Sequence, residues 1–209
     1  MTRPRRTREP GAPRVGVLSL QGDYAKHGEM LRGLGAEAVR VSLPEHLHAL
    51  DALVLPGGES STMLRLLDAT GLRTPLERFV RTKPVLGTCA GLIVLAKDAD
   101  RLPSPPLAVI DITAVRNGYG RQVHSFHDAV DVAPLAGAFD GVFIRAPRIT
   151  GVGRGVEVIA TREGEPVGVR QGRAVAIAFH PELTSDSRLH AWFLRDVAGL
   201  AVRPVNGTL

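Results

Sequence analysis

Between residues 14 and 96, short apolar runs alternate with helically spaced segments, and turns rich in glycine stand between them. Residues 14–20 form a β-rich run that stops at the turn Gln21-Gly22-Asp23. Residues 24–34 follow with Met30, Leu31 and Leu34 on one side and Gly35 as a stop. Residues 37–41 read as a second strand, and residues 52–55 as a third, apolar throughout and closed by Pro56-Gly57-Gly58. Residues 61–69 have helical spacing, residues 84–87 form a fourth strand, and residues 90–96 return to a helix. Strands this short and this uniformly apolar have no solvent face, so the alternation predicts a parallel sheet with helices on both faces.

The second half is less regular. Residues 108–115, 141–144, 156–160 and 174–179 read as strands, and residues 185–198 as a last helix with Leu189, Phe193 and Val197 at i, i+4, i+8. Residues 98–106 are a polar, proline-rich loop too short to link domains. A chain of 209 residues, 44% of them hydrophobic, suits one domain. The predicted organisation is a disordered basic tail over residues 1–13 and one α/β domain over 14–203.

Charge and cysteine usage exclude several classes. The formal charge is +5, but residues 1–10 hold four arginines, and without them the body is at about +2. No basic stripe is interleaved with aromatics, so nucleic acid is not an expected partner. No run approaches the roughly 18 apolar residues of a membrane span. A single cysteine, Cys89, excludes an internal disulfide and a multi-cysteine zinc site. A cytoplasmic location is the default expectation.

That cysteine stands in Gly87-Thr88-Cys89-Ala90-Gly91, between a buried strand and a helix. This is the G-x-nucleophile-x-G spacing of a nucleophile elbow, whose turn is tight enough to need small residues at both ends. The turn would present the thiol at the carboxyl end of the sheet, where open α/β folds bind ligands. A helix N-terminus there favours the thiolate. A lone cysteine is otherwise a small buried hydrophobe. The second signal is His180-Pro181-Glu182 after the run 174–179. In extended backbone, residues i and i+2 share a side, so Glu182 can orient one imidazole nitrogen and leave the other for a thiol. Alone, this tripeptide is ordinary surface sequence; beside the elbow it points to a triad.

A third signal is Pro56-Gly57-Gly58-Glu59-Ser60-Ser61, whose glycines let backbone N–H groups turn toward an anion. Ser60 or Ser61 is the expected N-cap of the helix that follows. No Gly-Lys-Ser/Thr follows, so it is not a phosphate-binding loop. Gly151-Val-Gly-Arg-Gly155 lacks the dinucleotide spacing and reads as a plain loop.

The segments 17–22, 55–60, 87–93, 116–123, 143–147 and 180–184 together resemble the class I (triad) glutamine amidotransferases. More narrowly, the chain is similar to the glutaminase subunits of pyridoxal 5'-phosphate synthase, the PdxT family. The narrower likeness rests on Arg-Asn-Gly-Tyr-Gly-Arg-Gln-Val (116–123) and Phe-Ile-Arg-Ala-Pro (143–147), which other amidotransferase glutaminases lack. The resemblance implies a three-layer, flavodoxin-like, mostly parallel sheet and a glutaminase acting on L-glutamine. It implies Cys89 as nucleophile, His180 as acid and base, Glu182 as its orienter, and the N–H groups of Gly58 and Ala90 as an oxyanion hole. Gly57, Gly58, Glu59, Arg116, Ile144 and Arg145 match its glutamine-binding positions. A guanidinium suits the substrate's α-carboxylate and a carboxylate its ammonium; surface ion pairing is the plain alternative for these two types.

The resemblance also implies a separate synthase subunit as partner, ammonia as the delivered product, and no cofactor on this chain. Departures are His124 and His127 where acidic residues are usual, and Tyr119 for phenylalanine. Two histidines at i, i+3 without a third ligand do not make a metal site, and no metal is expected. The alternatives are a glutaminase serving another synthase, a cysteine hydrolase on the same elbow, or a non-catalytic regulatory subunit. Retention of Cys89, His180 and Glu182 together speaks against the last.

Overall fold

The computed structural model describes residues 11–119 and 125–204. The expected tail at residues 1–10, His124 and the motif positions 120–123 lie outside the described residues.

The chain begins with β1 (Arg14–Leu18), α1 (Tyr24–Gly33), β2 (Glu37–Val41), β3 (Ala52–Leu55), α2 (Ser60–Ala69), α3 (Arg73–Thr82), β4 (Val85–Thr88) and α4 (Ala90–Leu95). It continues through β5 (Ala96–Ala99), β6 (Ile110–Val115), β7 (Ser125–Val132), β8 (Phe139–Ile144) and β9 (Arg148–Val152). β10 (Glu157–Arg162), β11 (Glu165–Gln171), β12 (Ala174–Ile177) and α5 (Arg188–Trp192) complete it.

Nine strands form one sheet in the order β2-β1-β3-β4-β12-β11-β10-β7-β8, and β5-β6-β9 form a second. From β2 to β12 every pairing is parallel, and from β12 to β8 every pairing is antiparallel. The parallel strands β3, β4 and β12 are buried along their whole length, as their unbroken apolar sequence requires. α4 lies against β3, β4 and β12, α2 packs on α4, and α1 packs on β1 and β2. The core is one contiguous cluster running from Val15 to Val197.

The expected strands and helices of the first half are present, with ends shifted by a residue or two. α3 was not anticipated: its buried face is only Leu76 and Val80, too sparse a stripe in a polar segment. β5, β7, β9 and β11 were also missed: β5 and β11 show no two-residue period, and although burial alternates along β7 and β9, their inward faces carry Asp128 and Gly151, which break the apolar pattern in sequence. Two expectations need correction. Gly151 and Val152 belong to β9, so Gly151–Gly155 is not a loop throughout. The N-cap of α2 is Glu59, not Ser60 or Ser61: its carboxylate accepts from Ser61 N and Thr62 N, with the reach to span the first turn. The last helix is α5 followed by a π-helical turn over Phe193–Val197.

Candidate active site

Strand register builds the site. β12 pairs with β4 so that Ile177 lies opposite Thr88, the last residue of β4. The chain leaves both strands at the same sheet end, with Cys89 one residue past β4 and His180 three residues past β12. Cys89 N donates to Ile177 O at 2.8 Å, and His180 N donates to Val142 O at 2.8 Å. Two backbone hydrogen bonds thus tie nucleophile and base to strands on either side of them.

Cys89 has φ 49° and ψ −102°, a left-handed conformation that a non-glycine residue adopts only when its surroundings impose it. The imposing contacts are visible. A Cβ on Gly91 would meet Leu55 O at 2.1 Å, and one on Gly87 would meet Gly91 backbone at 2.7 Å. Only glycine fits at either side of this elbow, as the pentapeptide led us to expect. Cys89 is 6% exposed, and its thiol lies 3.8 Å from Ile144 O.

His180 Nδ1 is 2.8 Å from Glu182 Oε1, a bond that aims the imidazole. His180 Nε2 is buried and makes no hydrogen bond of normal geometry among the described residues. Burial alone would lower the His180 pKa, but the Cys89 sulfur and the Glu182 carboxylate push it up to about 10. Glu182 moves the other way. Burial opposes its charge, yet the hydrogen bond with His180 and the nearby His27 ring hold its carboxyl well below the usual range. His180 therefore carries two protons at neutral pH, one directed at Glu182 and one on the unpaired nitrogen.

A cleft opens over this pair. Gly58, Glu59, Ser60, Cys89, Ala90, Ile93, Arg116, Asn117, Ile144, Arg145 and His180 line it. The cleft gathers every anticipated site residue except Gly57 and Glu182, which stand directly behind it. A Cβ on Gly57 would meet His180 Cε1 at 2.2 Å, so this glycine is what lets the imidazole approach the loop. Gly58 has φ +147°, and a Cβ there would meet Gln21 Oε1 at 2.6 Å. The same Gln21 oxygen accepts from Glu59 N at 2.6 Å. Arg116 Nη2 binds Glu59 Oε1 at 2.7 Å, and its Nη1 donates to Arg101 O at 2.9 Å. Burial opposes the Glu59 charge, but its bonds from Thr62, Ser61 and Arg116 lower its pKa to about 2. Cation and anion thus face one cleft, already paired with each other.

His127 lies away from the cleft, exposed, 3.4 Å from Asp140. Among the described residues, no group of three or more His, Cys, Asp or Glu side chains is arranged to hold a metal ion. No described helix is long and apolar enough to cross a membrane.

Sequence reasoning missed His27, Thr88 and His190, which are buried behind Glu182. A signal for His27 was available: it precedes Leu31 by four residues on the buried face of α1, where a polar ring needs a partner.

The profile of the SNO glutamine amidotransferase family matches residues 17–199. The chain is 49% identical over 184 residues to the pyridoxal 5'-phosphate synthase subunit PdxT of Koribacter versatilis, covering 88% of this chain and 95% of that one. It is 47% identical to the PdxT subunit of Thermotoga neapolitana, covering 88% and 99%. A crystal structure described as a glutamine amidotransferase superposes with a TM-score of 0.84 at 48% identity, covering 89% of this chain and 99% of that one. The chain belongs to the SNO glutamine amidotransferase family.

Proposed function

We propose that this chain is the glutaminase subunit of a pyridoxal 5'-phosphate synthase, with residues 14–203 as the acting domain. Cys89, its proton already held by His180, attacks the carboxamide carbon of L-glutamine as the thiolate, and the oxyanion that forms is held by the N–H groups of Gly58 and Ala90. Ala90 opens α4, so its N–H has no acceptor within the helix. The C–N bond then breaks, and His180 gives its Nε2 proton to the leaving amine as ammonia departs. Water adds to the thioester with His180 taking its proton, glutamate leaves, and the thiolate–imidazolium pair is restored. Glu182 keeps the ring aimed throughout. Arg116 receives the substrate's α-carboxylate and Glu59 its ammonium, with Gly57, Ile144 and Arg145 shaping the cleft. In the free chain Arg116 and Glu59 hold each other, and a zwitterion fits between them by exchanging one ion pair for two.

The observation that carries this reading is the strained Cys89 sharing one cleft with an imidazole whose Nδ1 is bound by the buried Glu182 carboxylate. No cofactor is needed for such chemistry, and a thiol nucleophile suits a reducing, cytoplasmic setting. The partner is the synthase subunit, in a hetero-oligomer that takes the ammonia directly. Gly58 sits against Gln21, so docking at this sheet end can turn the 57–58 peptide through Gln21 and complete the oxyanion hole. A missing donor of this kind costs roughly 10²–10³ in rate. The test is ammonia release from glutamine, alone and with excess synthase subunit, repeated with Gly58→Ala. Activation by the partner is expected. Equal rates with and without it would remove the partner assignment, and no ammonia under either condition would favour a regulatory subunit.

A further inference from the structure

Behind Glu182 lies a buried polar chain that the reaction above does not use. His27, on α1, and His190, on α5, are both wholly buried. His27 Nδ1 is 3.0 Å from His190 Nε2. On the other side of the ring, His27 Nε2 is hydrogen-bonded to Thr88 Oγ1 at 3.3 Å and lies 3.3 Å from Glu182 Oε2, a close polar contact outside standard hydrogen-bond geometry that is the nearest described partner of this otherwise unpaired oxygen. Glu182 therefore meets an imidazole at each oxygen: His180 at Oε1 and His27 at Oε2. α1 packs on the turn Pro181–Leu183 that carries Glu182, so this contact is part of the helix's seating.

The tautomers follow from counting hydrogens. An N···N contact of 3.0 Å needs one donor and one bare lone pair. His190 Nδ1 is buried without a partner among the described residues. A buried lone pair left alone costs less than a buried N–H left alone. His190 therefore carries its proton on Nε2 and gives it to His27 Nδ1. Complete burial, the largest influence, pushes the His190 pKa down, in keeping with a neutral ring. With its Nδ1 accepting, His27 has its hydrogen on Nε2, facing Glu182 and Thr88.

We propose that His27 is a positioning residue for the glutaminase reaction: its Nε2–H anchors the second oxygen of Glu182, and His190 locks the tautomer that makes this possible. Without the anchor, Glu182 is free to turn about its terminal bond, and His180 loses a fixed aim at Cys89. This rests on the triad reading above, so the test separates the two.

Ammonia release is measured with the chain in complex with its synthase subunit. His27→Leu is expected to lower kcat by roughly 10- to 100-fold, the usual effect of losing a residue that orients a working ligand or base. The KM for glutamine should stay within about twofold, because His27 does not touch the cleft. His27→Gln, whose amide nitrogen reaches toward the position of Nε2, should recover most of that loss. Combining His27→Leu with Glu182→Gln should be no slower than Glu182→Gln alone, since both act through one carboxylate. In the unaltered protein, nitrogen chemical shifts of the two rings should report neutral Nε2–H tautomers for His27 and His190. That measurement stands even where His27→Leu fails to fold. Wild-type kcat in His27→Leu, losses that multiply in the double variant, or an Nδ1–H tautomer at His27 would each overturn the inference while leaving the triad intact. Full activity in Glu182→Gln would sink the triad reading, and this inference with it.

Discussion

The two halves of the large sheet do different work. From β2 to β12 the strands are parallel and buried, and the chain leaves β4 and β12 at one end, one residue before Cys89 and three before His180. From β12 to β8 the strands are antiparallel and partly exposed, and this half with the small sheet supplies Ile144, Arg145 and Arg116 to the rim. Parallel strands put all their carboxyl ends on one side, so reacting groups from different strands converge with little loop. Antiparallel strands alternate their ends, so they frame a cleft rather than fill it. The expectation is that the parallel half sets kcat and the antiparallel half sets KM.

The most severe way to probe this division is at the elbow. Cys89→Ser should abolish ammonia release, by roughly 10³-fold or more, with an unchanged circular dichroism spectrum. Retained turnover would remove the nucleophile from the parallel half. His180→Asn should cost nearly as much. In the unaltered protein, kcat/KM should hold through mildly alkaline pH and fall only as His180 loses its proton near pH 10. The same raised pKa contributes stability that is fully present below pH 6.5 and is lost as pH rises through about 10. An alkaline limb centred near pH 7 would mean that Cys89 and Glu182 do not hold that proton.

Packing gives the next contrast. Leu53, wholly buried in β3, should cost about 2–5 kcal/mol when replaced by alanine, read from chemical denaturation. Arg116→Ala should then raise the KM for glutamine roughly tenfold while leaving kcat near its original value, as expected for a charge that binds ground and transition states alike. A fall in kcat with unchanged KM would place Arg116 with the reacting groups instead. The smallest effect is expected in the antiparallel half. Val158 in β10 is 40% exposed, and Val158→Thr should change stability by no more than about 0.5 kcal/mol. A larger loss would show that this face is covered.

How much of this was legible from residues alone varies with the kind of signal. Cys89 was legible because a nucleophile elbow forces small residues at fixed offsets, and backbone crowding at Gly87 and Gly91 is the same physics seen in three dimensions. The link between His180 and Glu182 was legible from their spacing, but not by the path expected: the chain does not stay extended, and Glu182 reaches His180 from the 3-10 turn Pro181–Leu183. Glu59 as the cap of α2 was not, since serine is the commoner choice and the carboxylate's double acceptance depends on the loop's path. β7 and β11 were not legible either, because Asp128 interrupts the inward face of β7, and β11 buries three consecutive residues, Val167, Gly168 and Val169, instead of every second one.

The alternation of strands and helices in the first half, the identity of the nucleophile and the pairing of base with orienter were determined by sequence, because each depends on residues close together in the chain. What only the tertiary structure decided was which distant groups meet. His27 and Glu182 are far apart in sequence, yet their side chains approach to 3.3 Å, and Arg116 reaches Glu59 across two different sheets' loops at 2.7 Å. Such contacts follow from strand order and helix seating, which are settled by burying the whole core at once rather than by any local pattern.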